Sequence, residues 1–383
     1  MRIGSLPVGA ANAITDVGDV RVGQVTLISG EGALVPGKGP VRTGVTVVLP
    51  HAGNLFREKV PCAIHVINGF GKCMGQEQVE ELGNLEGPIA LTGTMNVGLV
   101  TDAIVSYGVR ENPDIGIATS TINPVVGECA DMFLNDMQGR HVREEHVLAA
   151  IDSATGGAVE EGAVGAGTGM SAFSHKGGIG TSSRVVSEAL GGWTVGVLVL
   201  VNYGRGEQLR IDGVPVGEAL GREPGFGIRG EQSIPPNPES RFPVPAADDT
   251  ERGSIMMIVA TDAPLLDRGL RRLARRAGIG LARTGSIAGN GSGDYVIAFS
   301  SSELVRIAHE PEGLTHKLEV VVEDGPAIDA LFQATVEATE EAILNALFKA
   351  ATMTGRDGNT REGLPLEQVR EIMRTHGRLF EAG

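Results

Sequence analysis

The chain has 383 residues, 42% hydrophobic and 21% charged, which supplies a large apolar core and excludes a disordered polymer. Its 47 acidic against 32 basic residues give a net charge of −15, which excludes the basic footprint that nucleic acid requires. Three cysteines without CxxC spacing exclude a disulfide framework or cysteine zinc site, and the absence of a long apolar run or signal-like start predicts a cytoplasmic protein with no membrane partner.

Length by itself, at about 150 residues per domain, allows two or three domains. The 56 glycines, about twice the usual share, read as tight turns and close backbone approaches. In chain order, residues 44–49 (GVTVVL), 62–67 (CAIHVI), 115–122 (IGIATSTI) and 193–201 (WTVGVLVLV) are short, glycine-bounded and rich in β-branched side chains. Each reads as a strand buried on both faces. Residues 222–252 carry Pro224, Pro235, Pro236, Pro238, Pro243 and Pro245, a composition that forbids helix and central strand and reads as an exposed linker.

That linker runs directly into Gly253 and the apolar run 254–260 (SIMMIVA), a further buried strand. Leu266, Leu270, Leu273, Ala274 and Ala277 then recur on one helical face. Arg268, Arg271, Arg272, Arg275 and Arg276 take the opposite side and read as a solvated face. A strand follows at 295–300 (YVIAFS). Ile328, Leu331, Phe332, Val336, Ile343, Leu347 and Phe348 mark a longer helix, and a last one is expected at about 364–376.

The glycine loops do not have nucleotide spacing. Gly165-Ala166-Gly167-Thr168-Gly169 lacks the GxGxxG pattern, and Lys176 precedes rather than follows the glycines 177, 178 and 180. His141 and His146 stand five apart, which is no tight ligand pair, and His65 lies inside an apolar strand. With no HExxH or GxSxG, neither a metal site nor a serine–histidine triad is indicated.

Ser254 offers a different chemistry. A serine that becomes a chain terminus can use its own α-amine as base, since that amine has a pKa of about 7.7–8.0 and lies within reach of Oγ. Such a terminus arises by an N→O acyl shift at the preceding bond, and Gly253 is the residue type that tolerates the backbone conformation required. An ordinary strand-initiating serine is the plainer alternative. Further on, Ser292 and Asp294 are two apart in Gly289-Asn290-Gly291-Ser292-Gly293-Asp294, so an extended chain puts them on one face. A hydroxyl and a carboxylate together can hold and relay a proton. A glycine turn in which Asp294 binds its own backbone would also account for them.

These stretches, with 12–17 (NAITDV), 26–32 (TLISGEG), 39–46 (GPVRTGVT), 165–185 (GAGTGMSAFSHKGGIGTSSRV), 202–205 (NYGR) and 354–358 (TGRDG), resemble the L-aminopeptidase/D-esterase and β-aminopeptidase family of self-processing N-terminal-serine hydrolases. The resemblance spans nearly the whole chain. It implies an αββα four-layer sandwich of the N-terminal nucleophile hydrolase kind, folded as a single domain over 1–383. It further implies cleavage at Gly253-Ser254 into a larger chain, 1–253, and a smaller one, 254–383. By the same resemblance Ser254 is the nucleophile, Ser292 and Asp294 its supporting pair, and Asn202 a donor to the oxyanion. Glu128 would bind the free amine of the substrate. Ala130 stands where the aminopeptidase/esterase relatives carry a tyrosine, and its small side chain enlarges the pocket.

The implied activity is release of an N-terminal L-, D- or β-residue from small peptides, amides or esters through an acyl-enzyme on Ser254. No metal or cofactor is called for, and a homo-oligomer, a tetramer or larger, is expected. Two rivals stand beside it. One is an acyltransferase of the ornithine/glutamate acetyl-transfer type, which uses a threonine where this chain has Ser254. The other is a non-enzymatic binding homologue that never cleaves itself.

Overall fold

A computed structural model of the chain describes residues 3–222 and 252–379. Nearly all of the proline-rich linker, residues 223–251, lies outside the described residues.

Two sheets stack face to face. The first orders its strands Arg21–Ser29, Val41–Leu49, Ile89–Gly93, Val125–Cys129 and Cys73–Met74. The second orders Ile179–Val185, Thr194–Asn202, Arg252–Thr261, Gly291–Ser300, Glu58–Gly69 and Ile307–Ala308, with Asn84–Leu85 also paired to Glu58–Gly69. Strand alternation decides which side chains meet. Met256, Ile258 and Ala260 face the gap between the sheets, where they join Leu91, Val125 and Leu198. Ile255, Met257 and Val259 face the other way, with Leu270, Leu273, Leu331 and Ile343 of helices Asp267–Arg283 and Pro326–Phe348. Burial on both faces is why this strand reads as an unbroken apolar run.

On the far side of the first sheet, Val45, Val47, Ala90 and Val126 pack with Val100 and Ile104 of helix Val97–Glu111. Val147 and Ile151 of helix Glu144–Asp152 complete that layer. The order is therefore helix, sheet, sheet, helix, the expected αββα sandwich. Among the described residues no helix is long and apolar enough to cross a membrane.

Most expected elements fall where the sequence puts them, including the last helix at Leu366–Thr375. Residues 115–122 do not form a strand. The N–H groups of Ile117, Ala118 and Thr119 all turn back to the carbonyl of Asp114, and Gly116 adopts φ +73°, so the segment is a tight turn. Its apolar content is spent locally, with Ile115 and Ile122 packed on Phe56. The arginine face is also less bare than the pattern suggests, since Arg268 and Arg272 each reach Glu323 at 2.9 Å and Arg276 lies 3.8 Å from the centre of the Phe332 ring.

One buried charge ties the N-terminal segment down. Arg184 is fully buried and donates to Ile3 O at 2.6 Å, Ser183 O at 2.7 Å and Ser182 Oγ at 2.9 Å. Its remaining donors meet the carboxylates of Glu337 and Glu341 on the long helix.

Candidate active site

Ser254 lies near the start of the central strand of the second sheet, with Asn202 opposite it on one neighbour and Gly293 beside it on the other. It belongs to the same alternation as Met256, so its side chain falls on the face toward the first sheet. Ser254 is 6% exposed, and its Oγ accepts a hydrogen bond from the Gly293 N–H at 3.3 Å.

The bond preceding it is shaped for glycine. Gly253 sits at φ +148°, and a Cβ there would come within 2.2 Å of Asn202 O and 2.6 Å of Tyr203 Cα. Neither the backbone conformation nor the space admits a side chain.

Ser292 and Asp294 are fully buried on strand Gly291–Ser300, and Ser292 Oγ donates to Asp294 Oδ1 at 2.6 Å. The parallel register sets Ser292 beside Gly253 and Asp294 beside Ile255. The pair is thus level with the Gly253–Ser254 peptide, on the alternation opposite to that of the Ser254 side chain.

Asn202 ends strand Thr194–Asn202. Its Oδ1 accepts from the Ser171 N–H at 2.9 Å, and its Nδ2 donates to Ala130 O at 3.0 Å. A carboxamide has two N–H bonds on nitrogen, so one donor remains after Ala130 is served. Ala130 therefore enters the site through its carbonyl.

Glu128, on strand Val125–Cys129, is 3% exposed. The Lys72 N–H donates to its Oε1 at 3.0 Å and Thr94 Oγ1 donates to its Oε2, while the Lys72 ammonium stands 3.8 Å from Oε1. Gly71 links this carboxylate to the serine. A Cβ placed there would be 3.4 Å from Glu128 Oε1 and 3.1 Å from the Cα of Gly293, the residue hydrogen-bonded to Ser254. Ser254, Gly293, Gly71 and Glu128 therefore neighbour one another in turn where the two sheets meet, while Ser292 and Asp294 lie at the same level on the opposite alternation.

The surroundings are buried, and the ionisable groups respond to it. Burial pushes Asp131, next to Ala130, up to about 6, although Thr43 Oγ1 donates to its Oδ2 at 2.6 Å. Burial likewise raises the Tyr295 hydroxyl, which donates to the carbonyls of Gly69 and Gly71 at 3.2 and 3.1 Å. His175 is depressed to about 4, first by burial and then by Arg361.

His141 pairs with Asp136 at 3.0 Å, and His146 Nδ1 accepts from the Arg143 N–H that opens its own helix. Among the described residues no group of three or more His, Cys, Asp or Glu side chains could hold a metal ion.

Gly71, Lys72, Thr94 and Ser171 escaped the sequence reading as site residues. The only signal for the first two is the turn-like Asn68-Gly69-Phe70-Gly71-Lys72 after a strand, which marks a loop without saying where it lands. Ser171 and Thr94 act through one hydrogen bond each, and no local pattern announces that.

The chain is similar to known proteins over almost its whole length. The model of peptidase family S58 matches residues 12–361. A β-peptidyl aminopeptidase, BapA of Sphingosinicella xenopeptidilytica, is 44% identical over 369 residues, 96% of this chain and 88% of the relative. The PH0078 protein of Pyrococcus horikoshii OT3 superposes with a TM-score of 0.88 at 48% identity, covering 99% of this chain and 98% of the other. The L-aminopeptidase D-Ala-esterase/amidase of Ochrobactrum anthropi, described as a prototype of serine aminopeptidases and a variant of the Ntn hydrolase fold, gives 0.85 at 36% identity over 98% and 97% of the two chains. The chain belongs to peptidase family S58 and is a serine-type aminopeptidase of the N-terminal nucleophile class.

Proposed function

We propose that the chain cuts itself at Gly253-Ser254 and then uses Ser254 to release the N-terminal residue of small peptides, amides or esters. The observation that carries this reading is the register at the central strand, with Gly253 beside Ser292 and Ser254 beside Gly293. In processing, Oγ attacks the Gly253 carbonyl, the amide becomes an ester, and the nitrogen leaves as the α-amine of Ser254. Water then hydrolyses the ester, leaving Gly253 with a carboxylate and Ser254 with a free hydroxyl and amine. One domain, 1–383, would persist as chains 1–253 and 254–383, because strands from both halves share the second sheet.

In turnover the new amine takes the Oγ proton as Oγ attacks the substrate carbonyl. Ser292 and Asp294, level with the cut bond, hold that amine in place. The free Nδ2 donor of Asn202 stabilises the oxyanion, an interaction worth a few kcal/mol in such sites. Collapse transfers the proton to the departing amine, and water releases the acyl group.

Glu128 takes the substrate ammonium, for which a buried carboxylate already dressed by Lys72 N–H and Thr94 is suited. The space left by Ala130, together with the 44% identity to a β-peptidyl aminopeptidase, supports a β-residue at the substrate N-terminus. We further propose a cytoplasmic homo-oligomer, a tetramer or larger; the three free cysteines fit a reducing compartment, and sedimentation of the purified enzyme reads the assembly.

The test is denaturing electrophoresis with N-terminal sequencing, followed by assays on β-alanyl, L-alanyl and D-alanyl p-nitroanilides. A smaller band beginning SIMMIV and fastest release from the β-alanyl substrate are expected. A chain that stays intact while hydrolysing these substrates overturns the mechanism.

A further inference from the structure

Lys176 is completely buried on the two-residue strand His175–Lys176, which pairs with Ser171–Ala172. Its Nζ donates to three main-chain carbonyls, Gly177 O at 2.6 Å, Met170 O at 2.8 Å and Gly167 O at 3.0 Å. Three acceptors use three N–H bonds, which an ammonium has and a neutral amine does not. Burial works against that charge and draws Lys176 down to about 7, while the three carbonyls accept from all three N–H bonds of the charged form.

The middle carbonyl has a second role. Met170 C=O and the Ser171 N–H belong to one peptide group. The oxygen end faces the Lys176 ammonium and the hydrogen end donates to Asn202 Oδ1 at 2.9 Å. A cation on the carbonyl polarises the peptide and strengthens its N–H as a donor. A strong donor on Oδ1 fixes which end of the carboxamide is oxygen, and so leaves the NH₂ end for Ala130 O and for a reacting oxygen.

We propose that Lys176 is a positioning residue for the hydrolytic reaction, acting through the Met170–Ser171 peptide to lock the orientation of the Asn202 carboxamide. The proposal rests on the reading of Asn202 as the oxyanion donor.

The test is a double-mutant cycle with Lys176→Met and Asn202→Ala in the full chain. It is read as kcat and KM per processed chain and, in parallel, as the rate of Gly253-Ser254 cleavage on denaturing gels. Lys176→Met is expected to lower kcat by about 10-fold or more with KM changed less than about 2-fold, and to add less than about 2-fold once Asn202 is alanine. Equal losses in both backgrounds overturn the proposal, since a general support of the fold would cost the same with or without Asn202. Asn202→Ala that leaves kcat intact overturns the oxyanion reading instead. Lys176→Gln, which keeps donors without the charge, is expected to fall between Met and Lys and carries the same cycle if the Met variant does not fold. If neither folds, Lys176 is a determinant of the fold and the proposal fails.

Discussion

Ser292 Oγ donates a hydrogen bond to Asp294 Oδ1 at 2.6 Å, and both side chains are fully buried. Both belong to the strand that runs parallel to the Ser254 strand, which sets Ser292 level with Gly253. The proposed role of the pair, serving the amine freed by cleavage, rests on this register, and the Gly293 N–H donates to the Ser254 hydroxyl.

Ser254→Ala is expected to leave one chain of 39.8 kDa with no hydrolysis of any aminoacyl p-nitroanilide. Electrophoresis and rate measurement check both losses. Cleavage at the same bond in this variant would assign the cut to another nucleophile.

Gly253→Ala should fold less stably and process slowly or not at all. The added Cβ meets Asn202 O at 2.2 Å in a backbone conformation that costs a non-glycine residue about 1–3 kcal/mol. Melting temperature and band pattern are the measurements. Normal processing together with an unchanged melting temperature would show that the conformation is not needed.

Glu128→Gln should raise KM for substrates with a free amine by about 10- to 100-fold, the loss of a charge-assisted hydrogen bond worth roughly 1.5–3 kcal/mol. Processing has no substrate ammonium to bind and should proceed. A variant with unchanged KM and reduced kcat would move Glu128 from amine recognition to chemistry.

Asp131 makes stability depend on pH in a direction unusual for a carboxylate. Burial raises it from 3.8 to about 6, so within that window the folded chain binds more protons than the unfolded one and stability falls as pH rises. Asp131→Asn, placed in the uncleaved Ser254→Ala chain, should therefore gain relative to its parent between pH 4 and pH 7, by up to about 3 kcal/mol. Calorimetry at the two pH values decides, and an equal difference at both would mean that the carboxyl does not change its charge there.

Arg184→Met should destabilise the fold by about 3–5 kcal/mol, because Glu337 and Glu341 would lose their buried partner and Ile3 its anchor. Urea unfolding of the uncleaved chain measures it. A loss below about 1 kcal/mol would mean that water or rearrangement replaces the guanidinium.

Periodicity made the layers legible. The strands at 193–201 and 254–260 and the helices around Leu273 and Leu331 follow from burial on two faces or on one stripe, a property of local sequence. The segment 115–122 shows where that reasoning stops. Its apolar residues serve a small cluster with Phe56, while the backbone turns back on Asp114, and composition is blind to where hydrogen bonds go. Ser254, Ser292, Asp294, Asn202 and Glu128 take their expected roles from the family resemblance, which long and unusual matching stretches carry. Nothing in those motifs says that Ser171 orients Asn202 or that Thr94 holds Glu128.

The length and composition set out an acidic, apolar-cored chain, its runs of β-branched residues and leucine stripes determined twice-buried strands and flanking helices, and the family resemblance implied the αββα sandwich and the glycine–serine cut at the head of a strand. Tertiary structure alone decided the rest. It set Gly71 of the loop after Glu58–Gly69 against both Gly293 and Glu128, which lie on strands of different sheets, and it buried Lys176 among carbonyls, one of them in the peptide that donates to Asn202. The physical reason is that burial of side chains is written locally, in the period of the sequence. A site is made of single hydrogen bonds between residues far apart in the chain, and these have no period.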